Sequence, residues 1–323
     1  MPVKNAEPYL RPCLESIASQ SNADWELIAV NDGSEDRSET ILLEFASNRP
    51  NVQVINNKGT GIVDALKLAY AYSNGDYVHR MDADDIMPVN KLKMMLDAWR
   101  PNSIVTGKVK YFSDKWLVSL GFQNYESWLN RLMDSENIWQ DVYMECTLPS
   151  PAWLMHRDDF ESLGAFNSDL LPEDYDLCFR VYKSGLKVIH LKNIIHLWRD
   201  SQNRTSRKLP VYFPMAYYPL KVHYFLDIDR NSEKPLLVWG AGKKGKRMAQ
   251  LLKDRSQYFL WATANEKKIG ADIYGTIIQD INALNLVDYQ IIIAVSSPED
   301  KPKIQLQLNS FGVTKSKDYF WFC

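Results

Sequence analysis

Apolar positions in the first half of the chain follow two periods in turn. Leu10, Leu14 and Ile17 recur at helical spacing over a segment ending near Gln20. Trp25-Glu26-Leu27-Ile28-Ala29-Val30 then runs with little polar relief, as a strand covered on both faces does, and stops at Asn31-Asp32-Gly33-Ser34. A helix over Glu39–Ala46, a strand over Val52–Ile55 and a helix opened by Gly59-Thr60-Gly61 follow, the last carried by Ala65, Leu68 and Ala69. Tyr77, Val78 and Met81 mark the next strand. Strands alternating with helices predict an α/β fold with a largely parallel sheet.

The pattern continues with a strand over Gly107–Phe112, a helix holding Trp116 and Leu117, and an aromatic-rich helix through Tyr125 and Trp128 towards Trp139. Pro172 opens a helix, and Ile194, Ile195 and Leu197 mark another strand. Leu209–Arg230 is rich in Tyr, Phe and Leu and is interrupted by Pro210, Pro214 and Pro219. It predicts a helix docked across the preceding domain, with contact to a membrane face as the alternative. Asn231–Pro235 marks a boundary, so the expected domains are 1–206 and 232–323, joined by 207–231.

At 323 residues the chain is long for one core and comfortable for two. Its 46% apolar and 24% charged content is that of a globular protein, and a net charge of −2 gives no electrostatic case for nucleic acid. Four scattered cysteines form no CxxC pair, which predicts neither a zinc site nor a disulfide framework and suits a reducing, cytoplasmic compartment. No run approaches eighteen apolar residues, and no basic-then-apolar leader opens the chain, so neither a membrane span nor a secretory leader is expected.

Candidate chemistry begins at Asp82, Asp84 and Asp85, where the strand marked by Tyr77, Val78 and Met81 stops. Three ionised carboxylates cannot be buried together without partners, so they face solvent, share a cation, or cap a helix starting near Pro88. At the carboxyl end of a strand they stand where α/β sheets bind ligands. Carboxylates with few other ligands suit Mn²⁺ or Mg²⁺ carrying phosphates. Asp32 is suited to accept hydrogen bonds from a base, Asn5 to approach the same pocket, and Gly59 to permit close backbone approach. Each also has an ordinary reading as a turn residue. Glu173 and Asp174 form a second acidic landmark, explicable either as catalytic carboxylates or as acids favoured at a helix amino terminus.

PVKNAEPYLRPCLESIASQ, ELIAVNDGSEDRS and NKGTGIVDALKLAYAYSNGDYVHRMDADD together resemble the family-2 glycosyltransferases of GT-A architecture, with family-like order and spacing over about residues 1–206. The resemblance implies inverting transfer of a sugar from a nucleotide-sugar donor with a divalent cation, on a saccharide or lipid-linked acceptor in surface polysaccharide or glycoconjugate synthesis. It implies that Pro2, Val3, Asn5, Asp32 and Gly59 line the nucleotide, that Asp82 meets ribose or metal, and that Asp84 is the metal ligand, with Asp85 a helper or helix cap. Asp174 is implied as general base, Glu173 as its orienting neighbour, and Arg199 and Arg204 as diphosphate ligands on a loop. Trp128 and Trp153 fall on the implied acceptor side, with packing in the core as the plain alternative; His196, inside an apolar strand, reads as structural. Family members carry an apolar strand before the Pro-Val-x-Asn segment, whereas Met1 stands at its end here. Either the natural chain starts upstream or the fold accommodates a shortened strand.

The second domain begins with a strand, Leu236–Trp239, that runs into Gly240-Ala241-Gly242-Lys243-Lys244-Gly245 and then a helix with Met248, Leu251 and Leu252. Gly240, Gly242 and Gly245 are thereby candidate nucleotide contacts, with basic Lys243, Lys244, Lys246 and Arg247 beside them. Phe259–Ala262 and Gln290–Val295 are further strands and Ile304–Leu308 a helix. A dinucleotide site wants an acid at the end of the second strand; Thr263, Ala264 and Asn265 stand there, and Glu266 is the nearest acid. The domain resembles the small Rossmann-like domain of sugar acyltransferases, which implies either nucleotide binding or a structural role. Two other functions stay open on sequence alone: a nucleotide-dependent oxidoreductase built on the glycine turn, which leaves both acidic landmarks idle, and a non-catalytic sugar-nucleotide-binding module.

Overall fold

The computed structural model describes residues 1–21, 24–201 and 215–323. They form two compact units: Met1–Ile138 with Leu148–Arg204, and Trp139–Thr147 with Thr205–Cys323.

The first unit opens with β1 (Pro2–Val3), α1 (Glu7–Ala18), β2 (Leu27–Asp32), α2 (Ser38–Ala46), β3 (Val52–Asn57) and α3 (Ile62–Ala71). The three strands form a parallel sheet in the order β1-β2-β3. The apolar run of β2 is explained by its two covered faces. Leu27 and Ala29 pack with Leu10, Leu14 and Ile17 of α1 and Ile41 and Leu42 of α2, whereas Ile28 and Val30 pack on Ala65 and Ala69 of α3. The two-residue β1 pairs with Val30 and Asn31, the Val30 amide donates to the Met1 carbonyl at 2.9 Å, and the Met1 amine donates to the Ile28 carbonyl at 2.8 Å.

A second sheet contains β4 (Tyr77–His79), β5 (Ser103–Phe112), β6 (Trp153–His156) and β7 (Lys187–Arg199), in the order β4-β6-β5-β7. Strand β6 runs antiparallel to both neighbours, while β5 and β7 are parallel. Around it stand α4 (Lys91–Ala98), α5 (Leu120–Ser135), α6 (Arg157–Ser162) and α7 (Glu173–Ser184). Three expectations need correction. Helix α4 begins at Lys91, beyond Pro88; Trp116 and Leu117 precede α5 and are exposed, Leu117 at 92%; and Trp139 lies in a 3-10 turn, Ile138–Asp141. The β5–β7 register slips between Gly107 and Val109, where a Cβ on Gly107 would come within 3.0 Å of the Leu191 side chain. The extra residues lie in β7, where Ile195 is skipped in the pairing between Ile194 and His196; both Ile195 and His196 are buried.

The second unit holds α8 (Tyr218–Tyr224), continued by a π-helical turn over Phe225–Asp229, then β8 (Leu236–Trp239), α9 (Lys243–Asp254) and β9 (Leu260–Thr263). The hairpin β10 (Asp272–Ile273) and β11 (Thr276–Ile277) follows, then β12 (Gln279–Asp280), β13 (Gln290–Ile293), α10 (Asp300–Ser310) and β14 (Tyr319–Trp321). Five strands make a parallel sheet ordered β12-β9-β8-β13-β14, so the order reverses beside β8 as in doubly wound folds. The helix expected to dock across the first domain belongs instead to this unit. Phe225 packs edge-on to Phe320 at 5.3 Å, Tyr143 stacks on Phe322 at 5.1 Å, and Lys221 Nζ donates to the Met144 carbonyl at 2.8 Å. Residues 139–147, expected within the first domain, are thus part of the second unit's core.

Candidate active site

From Met81 to Met87 burial alternates residue by residue: Met81, Ala83, Asp85 and Met87 point inward, Asp82, Asp84 and Ile86 outward. The turn is held by a pair of backbone bonds between Ile86 and Leu197, at 3.1 and 3.0 Å. Asp85 is 1% exposed, so it neither faces solvent nor caps α4. Its Oδ1 accepts from the Arg199 amide at 2.8 Å and its Oδ2 lies 2.9 Å from His196 Nε2. His196 Nδ1 is in turn 3.3 Å from Lys91 Nζ, which donates to the Pro151 carbonyl at 2.6 Å. His196 is therefore structural, held in the interior.

Asp82 and Asp84 stay half-buried at the outer edge of the turn. Asp82 Oδ1 accepts from Arg80 Nε at 3.1 Å, and Arg80 Nη1 donates at 3.1 Å to Glu173 Oε1. Arg80 is buried, and through it the two acidic landmarks, about ninety residues apart in sequence, meet. Sequence reasoning passed over Arg80; the signal available was a guanidinium inside an otherwise apolar strand end, which demands carboxylate partners. Glu173 and Asp174 occupy the first turn of α7, which Arg180 anchors by bonds to Asp176 at 2.8 Å and to the Leu163 carbonyl at 2.6 Å. Burial pushes the Asp174 carboxyl up to about 7, helped by the charge of Glu173; Arg80, the Tyr175 amide and a hydrogen bond from Ser150 pull it back. A carboxylate that titrates near neutrality can both take and hold a proton there.

Asp32 ends β2, buried, accepting from Asn57 Nδ2 at 2.7 Å and the Gly61 amide at 3.3 Å, with Lys4 Nζ 3.6 Å away. Gly33 and Gly59, both at positive φ, touch: a Cβ on Gly33 would sit 3.2 Å from the Gly59 Cα. Asn5 ties the ends of β1 and β2 together, accepting from the Glu35 amide at 2.8 Å while its own amide donates to Ser34 Oγ at 3.0 Å. Pro2 and Val3 lie in β1 beside Val30 and Asn31. A hollow of about 390 Å³ lined by Asn57, Thr60, Asp64 and Lys67 flanks this loop cluster rather than the acidic turn.

Arg199 is a strand residue, not a loop residue. Its Nε donates to the Asp84 carbonyl at 2.6 Å, its Nη1 pairs with Asp114, and its guanidinium stacks over Phe112 at 4.5 Å. These contacts make it a clamp on the acidic turn. Arg204 lies outside the described residues. Trp153, expected on the acceptor side, is 1% exposed and packs on Phe160, so its ring offers an acceptor no surface. Trp128 is likewise buried, stacked on Tyr125 at 5.6 Å.

No group of three or more metal-ligating side chains is preassembled among the described residues. Two outward carboxylates, Asp82 and Asp84, still fit a hard cation that takes its remaining ligands from phosphate and water, since Mg²⁺ in such sites uses one or two carboxylates.

In the second unit Gly240 has a φ of 123°, and a Cβ there would lie 2.9 Å from the Ala294 carbonyl oxygen. A Cβ on Gly245 would fall 1.8 Å from the Gly240 oxygen. Gly245 is thus required by close helix–strand packing and Gly240 by its positive φ and the close approach of the chain after β13, while Gly242 opens α9 with free space around it. Strand β9 ends in Thr263, with Glu266 in the 3-10 turn beyond.

Residues 1–164, just over half of the chain, match the model of glycosyl transferase family 2. The chain belongs to that family. This family-2 glycosyltransferase is 30% identical over 216 residues to glycosyltransferase GlyA of Streptococcus pneumoniae serotype 4, covering 64% of its own chain but 31% of GlyA, so it spans about a third of that relative. It is 27% identical over 250 residues to the Escherichia coli UDP-Glc:alpha-D-GlcNAc-diphosphoundecaprenol beta-1,3-glucosyltransferase WfgD, covering 72% of this chain and 96% of WfgD. Among solved structures, the mannosyltransferase PcManGT from Pyrobaculum calidifontis, in complex with GDP-Man and Mn²⁺, aligns with a TM-score of 0.54 at 17% identity over 70% of this chain and 61% of its own. S. aureus TarS 1-349 in complex with UDP-GlcNAc aligns at 0.53 and 15% identity over 96% and 78%. The fold is that of GT-A glycosyltransferases. No helix among the described residues is long and apolar enough to cross a membrane.

Proposed function

We propose that the first unit transfers a sugar from a nucleotide-sugar donor to an acceptor hydroxyl with inversion, using Mn²⁺ or Mg²⁺. The observation that carries this reading is Arg80, which brings Asp82 and Glu173 into one site. Asp84, with Asp82, would hold the cation, and Asp32 with the Asn5 and Gly59 loops would receive the nucleoside. The cation supplies compensation for the charge that accumulates on the departing diphosphate. Asp174 takes the acceptor's proton as the acceptor oxygen bonds to the anomeric carbon and the carbon–oxygen bond to the diphosphate breaks. Glu173, fixed by Arg80, orients that base. WfgD's name specifies UDP-Glc and a diphosphoundecaprenol-linked acceptor, and this supports a lipid-linked or saccharide acceptor here, in polysaccharide synthesis.

Two substitutions test the assignment. Asp84→Ala should abolish Mn²⁺-dependent binding of UDP or GDP in calorimetry, and Asp174→Asn should leave that binding intact while cutting turnover by at least about 100-fold. Normal turnover in both variants removes the proposal.

For the second unit we propose a structural role, supported by the packing demands that account for Gly240 and Gly245 and by the lack of an acid at the end of β9. Titrating the full-length Asp84→Ala protein with nucleotides should give no heat; saturable heat that Lys243→Glu/Lys244→Glu removes would assign a ligand to the glycine turn instead.

A further inference from the structure

Beneath the acidic turn runs a buried polar chain with no direct place in the chemistry above. Asp85 Oδ2 is 2.9 Å from His196 Nε2, His196 Nδ1 is 3.3 Å from Lys91 Nζ, and Lys91 Nζ donates to the Pro151 carbonyl at 2.6 Å. Lys91 and His196 are both fully buried. An ammonium has donors only, so His196 accepts at Nδ1 and donates from Nε2 to the Asp85 carboxylate. With Lys91 protonated the chain is a buried ion pair transmitted through a neutral imidazole; burial lowers the Lys91 ammonium to about 7, and Asp85 works against that fall.

Its two ends are unequal in function. Asp85 is covalently next to Asp84, whose carbonyl Arg199 Nε also grips at 2.6 Å. Pro151 is covalently next to Ser150, which is buried and hydrogen-bonds Asp174. The segment leading into β6 is fastened carbonyl by carbonyl: Pro151 to Lys91, Ala152 to Thr106 Oγ1 at 2.7 Å, and Trp153 to His79 Nδ1 at 2.6 Å. Two of these anchors lead back to the acidic turn: His79 along the chain, three residues before Asp82, and Lys91 through His196 to the turn's inner face at Asp85.

We propose that Lys91 is a positioning residue: it struts the inner face of the 82–85 turn against the Ser150–Pro151 segment, and so sets the placement of Asp174 relative to Asp84. The inference rests on the roles proposed for those two carboxylates. The strut transmits position because its members are buried, hydrogen-bonded at both ends and closely packed, which leaves no slack to absorb a shift at either end. A misplacement of about 1 Å between reacting groups costs on the order of 100-fold in rate.

The test compares wild type, Lys91→Met and the double variant Asp85→Asn/Lys91→Met, with Asp85→Asn alone as reference. Removing Lys91 by itself leaves a buried carboxylate without its cation; the double variant removes both charges and spares the fold that penalty. Hydrogen exchange is followed with and without Mn²⁺ and UDP or GDP, beside release of nucleoside diphosphate from UDP-GlcNAc or GDP-mannose. In wild type the nucleotide should slow exchange at both 82–86 and 149–153. In the double variant it should slow the first segment alone, with nucleotide affinity within about twofold and turnover about 10- to 100-fold lower than in Asp85→Asn. Equal nucleotide protection of 149–153 in the double variant, or a loss of affinity matching the loss of turnover, overturns the proposal. Binding of neither nucleotide by wild type sinks the functional reading first. The strut then stands or falls on whether 149–153 exchanges faster in the double variant without ligand.

Discussion

Activity should rise through neutral pH, and the limb should belong to the Glu173–Asp174 pair. Burial and the neighbouring Glu173 charge hold the Asp174 carboxyl up at about 7, against an ordinary 3.8. A base must be ionised to accept the acceptor's proton, so at pH 6 only about one molecule in ten is competent, and kcat should climb about tenfold between pH 6 and 8. Arg80 and Ser150 both favour the ionised form. Arg80→Met and Ser150→Ala should therefore move the limb to higher pH and lower the rate at pH 7 more than at pH 9. Stability moves the other way. A carboxyl whose folded value lies above its unfolded one binds more protons in the native state between about 4 and 7, so raising pH across that window weakens the fold and raising it further changes nothing more. The Asp174 contribution should therefore shrink from pH 5 to 8, read as the melting temperature of Asp174→Asn gaining on that of wild type over that range. Steady-state rates over pH 5.5–9 at saturating donor and Mn²⁺ are the assay. A rate flat from pH 5.5 upward, or a limb unmoved in both Arg80→Met and Ser150→Ala, refutes the reasoning.

Two further substitutions probe positions where packing is assigned over ligand contact. Trp153→Ala empties a fully buried ring site and should cost about 3–5 kcal/mol of stability; a variant of wild-type melting temperature with only a raised acceptor KM would return Trp153 to the acceptor side. Gly245→Ala drives a methyl into the Gly240 carbonyl and should destabilise the second unit by roughly 3 kcal/mol or more, read as an earlier unfolding transition by calorimetry, whereas Gly242→Ala meets open space and should be near neutral.

Legibility in the sequence followed how local each cause was. The βα alternation, the doubly covered β2 and the glycine turn after β8 are written in short windows, because periodicity and turn chemistry act over a few residues. Asp84 and Asp174 stood out for the same reason. Asp85 did not separate from its neighbours, although the alternation Met81, Ala83, Asp85, Met87 already pointed it inward. Arg80 and Lys91 were missed because their partners, Glu173 and Pro151, are 93 and 60 residues away. Arg199 was misplaced on a loop because β7 carries its extra residues opposite Gly107–Val109 and resumes pairing with β5 as far as Phe112, a long-range register that no window around Arg199 displays. Trp128 and Trp153 looked like sugar platforms only while their burial was unknown.

The nine residues from Trp139 to Thr147 bear on anyone wishing to dissect or recombine this chain. A cut made in the conventional way, after the last strand of the catalytic half, strands Tyr143 from Phe225, Phe320 and Phe322, leaving a slice of the second body's core on the first fragment and a gap in the second. Swapping the carboxyl-terminal body between relatives would have to carry this short insert along with it, as two grafts rather than one.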